Sequence, residues 1–190
     1  VKSLFARGAP EVLRGGELKY VGMPIGGIGA CQLHLGGDGR LWHWDIFNKA
    51  LPRPNPDDAH YRSPLMPESP LEQGFAVRIK ADGRALTRKL RAGEWSDVTF
   101  RGEYPVGVVQ FAHAAIPVRV TMQSFSPFIP LNTDDSSLPA TIFEFTLTNH
   151  GEQDAEAELC GWLENAIGQR SAARPGMTPR CRSGFWIAPC

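Results

Sequence analysis

Cysteine is scarce in this sequence and histidine is scattered. The four cysteines (Cys31, Cys160, Cys181 and Cys190) form no Cys-x-x-Cys pair. None of the five histidines (His34, His43, His60, His113 and His150) lies three to five residues from another. That spacing fits no common structural zinc site, so no metal ligand is assigned. A chain with this much apolar sequence does not need disulfide staples, and free half-buried thiols are expected. Net charge is lacking too, with 20 basic residues against 20 acidic ones. Such a balance leaves no broad electrostatic footprint for nucleic acid or an anionic membrane. No apolar run approaches the ~18 residues of a membrane-spanning helix. The glycine-dense stretch Gly22–Gly29 lacks the Gly-Lys-[Ser/Thr] ending and the following helix that a phosphate loop requires. No Gly-x-Ser-x-Gly elbow supports acyl hydrolysis. Nothing in the residues implies a cofactor.

What is present is turn chemistry and alternation. Twenty glycines and 16 prolines stand among 190 residues, about one in five against an ordinary ~12%. With 42% hydrophobic residues, this composition reads as a turn-rich β domain with a real core rather than as disorder. Cys31, Leu33 and Leu35 alternate with Gln32 and His34. Gly36-Gly37-Asp38-Gly39 then turns the chain into Arg40–Phe47, which predicts a hairpin at Asp38-Gly39. Leu51–Pro70 carries six prolines and reads as an extended loop.

Alternation resumes at Phe75, Val77 and Ile79, with a second hairpin expected at Asp82-Gly83 and a return through Leu86–Leu90. Further strands are predicted over Val98–Phe100, Val106–Phe111, Pro117–Gln123, Ile142–Thr148, Ala155–Leu163 and Phe185–Ile187. Helical periodicity never persists beyond a turn or two. The fold class expected is all-β, an antiparallel, supersandwich-like β-sandwich. The chain begins at Val1 and stops at Cys190 directly after an apolar stretch. The expectation is therefore the front part of a longer domain. Asp134-Asp135 reads as a solvated turn, not as a catalytic carboxylate pair.

Two stretches go beyond a generic sandwich. The first runs from Tyr20 to Asn48 and contains Gly26-Gly27-Ile28-Gly29, Gly36-Gly37-Asp38-Gly39 and Trp42-His43-Trp44-Asp45-Ile46-Phe47. The second runs from Ser124 to Pro139, with Ser126-Pro127-Phe128-Ile129-Pro130, and is followed by a strand ending Leu147-Thr148-Asn149. Together, in this order, they resemble the N-terminal domain of glycoside hydrolase family 116. That family includes the non-lysosomal glucosylceramidase (bile acid β-glucosidase) and microbial β-glucosidases. One departure stands out: Cys31 takes the place where the family pattern continues with glycine.

The resemblance implies a two-domain enzyme in which this sandwich precedes an (α/α)6 helical catalytic domain. That partner domain would carry the nucleophilic glutamate and the acid/base aspartate, and a β-glucoside or glycolipid would reach the protein through it. Retaining hydrolysis needs two carboxyls roughly 5–5.5 Å apart. Neither maps onto this chain, so no residue here is assigned as catalytic. The most sugar-like cluster is Trp42, His43, Trp44 and Asp45, because aromatic faces stack on sugar C–H groups while polar groups fix hydroxyls. On a regular strand Trp42 and Trp44 share one face and His43 and Asp45 the other. These residues are therefore either two core tryptophans beside an exposed edge, or a contact for substrate or the domain junction. Phe125–Pro139 reads as a rigid corner, from which Phe128 and Ile129 are candidate contacts for the helical domain. A stand-alone carbohydrate-binding or surface-interaction module is the alternative. On the enzyme reading, the 190-residue chain by itself is expected to leave an aryl β-glucoside unhydrolysed. Turnover that survives removal of contaminants contradicts this.

Overall fold

The computed structural model describes residues 8–29, 32–45, 69, 72–81, 83–164 and 183–189. Among the described residues, alternating apolar side chains build twelve strands: β1 (Leu13–Arg14), β2 (Gly22–Ile25), β3 (Gln32–Gly36), β4 (Leu41–Asp45), β5 (Gln73–Ala81), β6 (Arg84–Lys89), β7 (Asp97–Glu103), β8 (Val106–Ala112), β9 (Val118–Phe125), β10 (Ile142–Asn149), β11 (Glu156–Glu164) and β12 (Ser183–Pro189). All pairings are antiparallel. The strands form a five-stranded sheet β1-β7-β8-β9-β10, a four-stranded sheet β12-β11-β5-β6 and a three-stranded sheet β2-β3-β4.

Both expected hairpins are present. Leu35 pairs with Leu41 across the first, where Gly39 takes φ +86°, a left-handed value that glycine adopts without strain. Ala81 pairs with Arg84 across the second, with Gly83 at φ +71°. Asp82, Cys31, Ile46, Phe47 and the proline-rich stretch, apart from Ser69, lie outside the described residues.

The period-two pattern of β9 buries Val118, Val120, Met122 and Ser124 and turns Arg119 to solvent. Its neighbours place Val98 and Phe100 of β7, Val109 and Phe111 of β8, and Phe143, Phe145 and Leu147 of β10 on the same inner face. Two smaller sheets cover that face side by side. Phe75 of β5 meets Phe143 and Phe145 with ring centroids 5.1 and 4.9 Å apart, and Val77 and Ile79 continue the contact inward. Met23 and Leu35 of the three-stranded sheet approach Gly107, where an added Cβ would lie 2.9 Å from Met23 Sδ and 3.1 Å from Leu35 Cδ2. The sandwich is thus two layers deep, with its second layer divided. Gln73 Nε2 donates to the Leu41 carbonyl at 3.1 Å and ties the two halves together. Pro24 is tolerated because β2 is an edge strand, where a missing N–H breaks no central ladder.

Among the described residues, two short helical turns add to the expected strands. Gly15–Tyr20 forms a 3₁₀ helix that buries Leu18. Asp134-Asp135, read from sequence as a plain turn, lies in the one-turn helix α1 (Thr133–Ser136), where the Asn132 side chain accepts from Asp135 N at 3.1 Å. Four residues are too few to show a helical period, and acids in a first turn suit the helix dipole.

The β6–β7 connection is organised by Glu94. Its carboxylate accepts from Lys89 N and Arg91 Nε, each at 3.0 Å, and pairs with Arg91 NH2 at 2.9 Å. Arg88 donates to the Glu94 carbonyl. Beside it Trp95 drops into the core, with Nε1 donating to the Lys89 carbonyl at 2.9 Å. Partial burial pushes the Glu94 carboxyl upward. The Lys89 amide, the Arg91 guanidinium and the Lys89 charge outweigh that and hold it below its ordinary 4.5. A carboxyl depressed in the folded state contributes stability above its unfolded pKa and loses it as pH falls through the folded value. Glu94→Gln should therefore lower the melting temperature at pH 7 by about 3 °C and shrink the further loss on acidification below pH ~4.5. Thermal melts at neutral and acid pH measure both; an unchanged acid limb in the variant contradicts the role.

Candidate functional site

The two sequence stretches singled out above meet in space. After β2 the chain turns through Gly26 at φ +114° and Gly29 at φ +72°. Between them Ile28 N donates to the Ser136 carbonyl at 2.8 Å. Gly27 lies so close to the corner that a Cβ would sit 2.0 Å from the Leu138 carbonyl oxygen and 2.8 Å from the Ser137 carbonyl carbon. Only a residue without a side chain permits that crossing of backbones. Ser126 Oγ donates to the Pro24 carbonyl at 3.4 Å, and Ser126 N to the Pro105 carbonyl at 3.1 Å. Inside the corner the buried Ser136 hydroxyl accepts from Ile129 N at 2.9 Å and donates to Ile129 O at 3.1 Å. Leu131 takes φ +65°, an uncommon value outside glycine.

This well-bonded corner leaves apolar side chains in solvent. Phe128 is 44% exposed and Ile129 48%, and Ile28, Tyr104, Leu131 and Leu138 are exposed as well. Tyr104 meets Phe128 edge-on at 5.8 Å. Local hydrogen bonds hold the corner, while its apolar groups point away from the core that would bury them.

A second feature lies beside Trp42. The neighbouring Leu41 is buried in the core, whereas Trp42 is half-buried and pairs across the ladder with His34. Its indole nitrogen would lie 2.4 Å from a Cβ on Gly36, and the Arg40 guanidinium stands 5.4 Å over its ring. It shares a shallow trough with Trp162 of β11, on which Lys89 Nζ stands 5.3 Å over the ring. Trp162 Nε1 donates to Glu72 Oε1 at 3.3 Å.

His43, Trp44 and Asp45 belong to β4 by backbone, and their side chains lie outside the described residues. The ladder slips between His34↔Trp42 and Gln32↔Asp45, so His43 and Trp44 together oppose Leu33. Strict alternation therefore breaks within the Trp42–Asp45 cluster. Among the described residues the deeply buried tryptophan is Trp95, which the sequence pattern does not single out. Trp162 falls in the strand predicted over Ala155–Leu163, which also holds Glu156 and Glu158, and has no expected role there. A large aromatic among those charges was the signal to follow. Cys160 is free and half-buried, and Cys31, Cys181 and Cys190 lie outside the described residues. Among the described residues no three His, Cys, Asp or Glu side chains converge as a metal set.

The sequence matches the family described as beta-glucosidase 2, glycosyl-hydrolase family 116 N-term, over residues 22–182. This chain belongs to that family. The match starts at the glycine-dense stretch and spans the corner, so both halves of the Gly27 crossing fall inside it. A family 116 N-terminal domain implies a catalytic partner domain in the same protein. Gly27→Ala should cost about 1–3 kcal/mol, because backbone cannot yield as a side-chain tip does. Gly16→Ala, in open space, serves as the control and should change little. Denaturant unfolding of the two variants checks the contrast; equal stabilities contradict it.

Proposed function

We propose that this family 116 domain is the accessory, non-catalytic sandwich of a retaining β-glucosidase or glucosylceramidase-type hydrolase. Its task is to hold the helical catalytic domain of the same protein through the corner bearing Phe128 and Ile129. The observation that carries this reading is the exposed apolar cluster on a corner fixed by hydrogen bonds. Fully burying a Phe or Ile side chain is worth about 1.5–3 kcal/mol, so two half-exposed ones offer a partner a substantial share of that. A preformed corner also has little conformational freedom to lose on docking. The substrate, a β-glucoside or glycolipid, is handled by the partner domain. In this reading the Trp42, His43, Trp44 and Asp45 strand lies toward the sugar or the domain junction.

The test is a Phe128→Glu/Ile129→Glu double variant made twice. In the two-domain protein it should lower the melting temperature by several degrees and weaken domain association, read by limited proteolysis between the domains. In the 190-residue chain alone, where both side chains already face water, it should shift the melting temperature by no more than about 1 °C. A neutral result in the two-domain protein overturns docking through this corner. A downstream region without a helical domain overturns the accessory role itself and favours a stand-alone module.

A further inference from the structure

The trough that joins Trp42 and Trp162 is separate from the docking corner at Phe128 and Ile129. It lies at the other end of β8: Gly39 at its floor abuts the Phe111 ring, whereas the corner abuts Pro105. Its two indoles stand far apart in sequence and belong to different sheets, yet they line one opening of about 100 Å³. Elsewhere the outer face of the four-stranded sheet carries cross-strand ion pairs. Arg78 meets Glu158 at 3.1 Å and Lys80 meets Glu156 at 3.0 Å. At the trough end that pattern stops and an indole replaces the acid.

We propose that this trough binds a single neutral pyranose ring. Trp162 is the platform. It pairs across the ladder with Gly74, and a Cβ there would stand 2.6 Å from Cζ2 and 2.8 Å from Cη2 of the indole. The missing side chain lets the ring lie against the β5 backbone, which fixes its plane. A fixed indole face attracts the positively polarised C–H face of a sugar, as it attracts a cation. The Lys89 ammonium now standing over that ring shows that the face accepts such a guest. Lys89 is exposed, and its four-carbon stem lets the ammonium swing aside to donate to a hydroxyl. The Glu72 carboxylate, already oriented by the indole N–H, accepts from another hydroxyl. Trp42, with Arg40 over its ring, closes the opposite wall.

Charge decides against an anion. Arg40 is matched by Asp38 at 3.6 Å and Arg91 by Glu94 at 2.9 Å, and the Lys89 and Glu72 charges oppose each other. A balanced wall of donors and acceptors suits a polyol and gives a phosphate or sulfate no net attraction. The volume is well below the ~300 Å³ at which drug-sized pockets begin, which limits the ligand to one ring rather than a long chain. An open trough of this kind gives millimolar affinity.

The test uses indole N–H signals in ¹H–¹⁵N spectra of the 190-residue chain. Methyl β-glucoside should move the Trp162 and Trp42 signals saturably and leave the buried Trp95 signal in place. Sorbitol, which has the hydroxyls but no ring face, should move none. Trp162→Ala should abolish the Trp42 response, and Trp162→Phe should weaken it about tenfold. Glu72→Gln should weaken it about fivefold. The Trp95 signal reports that each variant keeps its core. No saturable shift up to about 100 mM glucoside overturns the proposal, since weaker binding is not a site. So does an equal response to sorbitol, a response to sulfate instead, or an unchanged affinity in Trp162→Ala. None of these outcomes bears on the Phe128 and Ile129 corner, so failure here and failure of the docking reading are told apart.

Discussion

Where Gly27 crosses Leu138, two backbones come closer than any side chain would allow. The crossing brings the turn after β2 under the corner after β9, joined by the Ile28–Ser136 hydrogen bond. With that turn fixed, Met23 and Ile25 of β2 reach the core, and the three-stranded sheet settles over the Gly107 end of the five-stranded one. The same contact stiffens the corner from outside while Ser136 stiffens it from within. The apolar cluster at Phe128 and Ile129 therefore stands on a braced support, not on a free loop.

Absent side chains serve the architecture at more than one depth. Gly107 makes room for Met23 and Leu35 between layers, and Gly74 makes room for Trp162 on the outer surface. In each case a strand glycine, normally a weakness, is offset by a large neighbour that fills the space. The five-stranded sheet keeps its hydrophobic rows intact, and the glycines lie where a second element leans on it or on its partner. A polar group drawn into this packing finds a partner in the neighbouring strand: Ser124, fully buried in β9, donates to the Ile142 carbonyl at 2.9 Å.

Most of the fold was legible because period-two alternation is a strong local signal. Val118, Val120 and Met122 announce β9 without any knowledge of its neighbours, and Asp-Gly announces each hairpin. The division of the second layer was not legible, because it depends on which strand pairs with which across long separations. The corner was half legible. Pro127 and Pro130 mark a rigid turn, but the bracing by Gly27 joins residues more than a hundred positions apart. The trough was the least legible. Trp42 drew notice through its neighbours, whereas Trp162 gains meaning only beside Glu72, Gly74 and Lys89. The break in register at His43 and Trp44 hid for a related reason: a bulge is a property of two strands, and one strand's sequence does not display it.

The divided second layer has a bearing on amide exchange. β8 and β9 have a bonded neighbour on each side and together carry five fully buried residues, Val109, Phe111, Val120, Met122 and Ser124, so their amides should open only with the whole domain. The seam is different, since a side-chain hydrogen bond from Gln73 to Leu41 joins the halves there instead of a ladder. Opening at the seam separates β4 from β5 without disturbing the five-stranded sheet. Amides of β3 and β4 therefore belong to a unit of lower protection than β8, and the mouth of the Trp42–Trp162 trough lies on the line along which that unit parts from the rest.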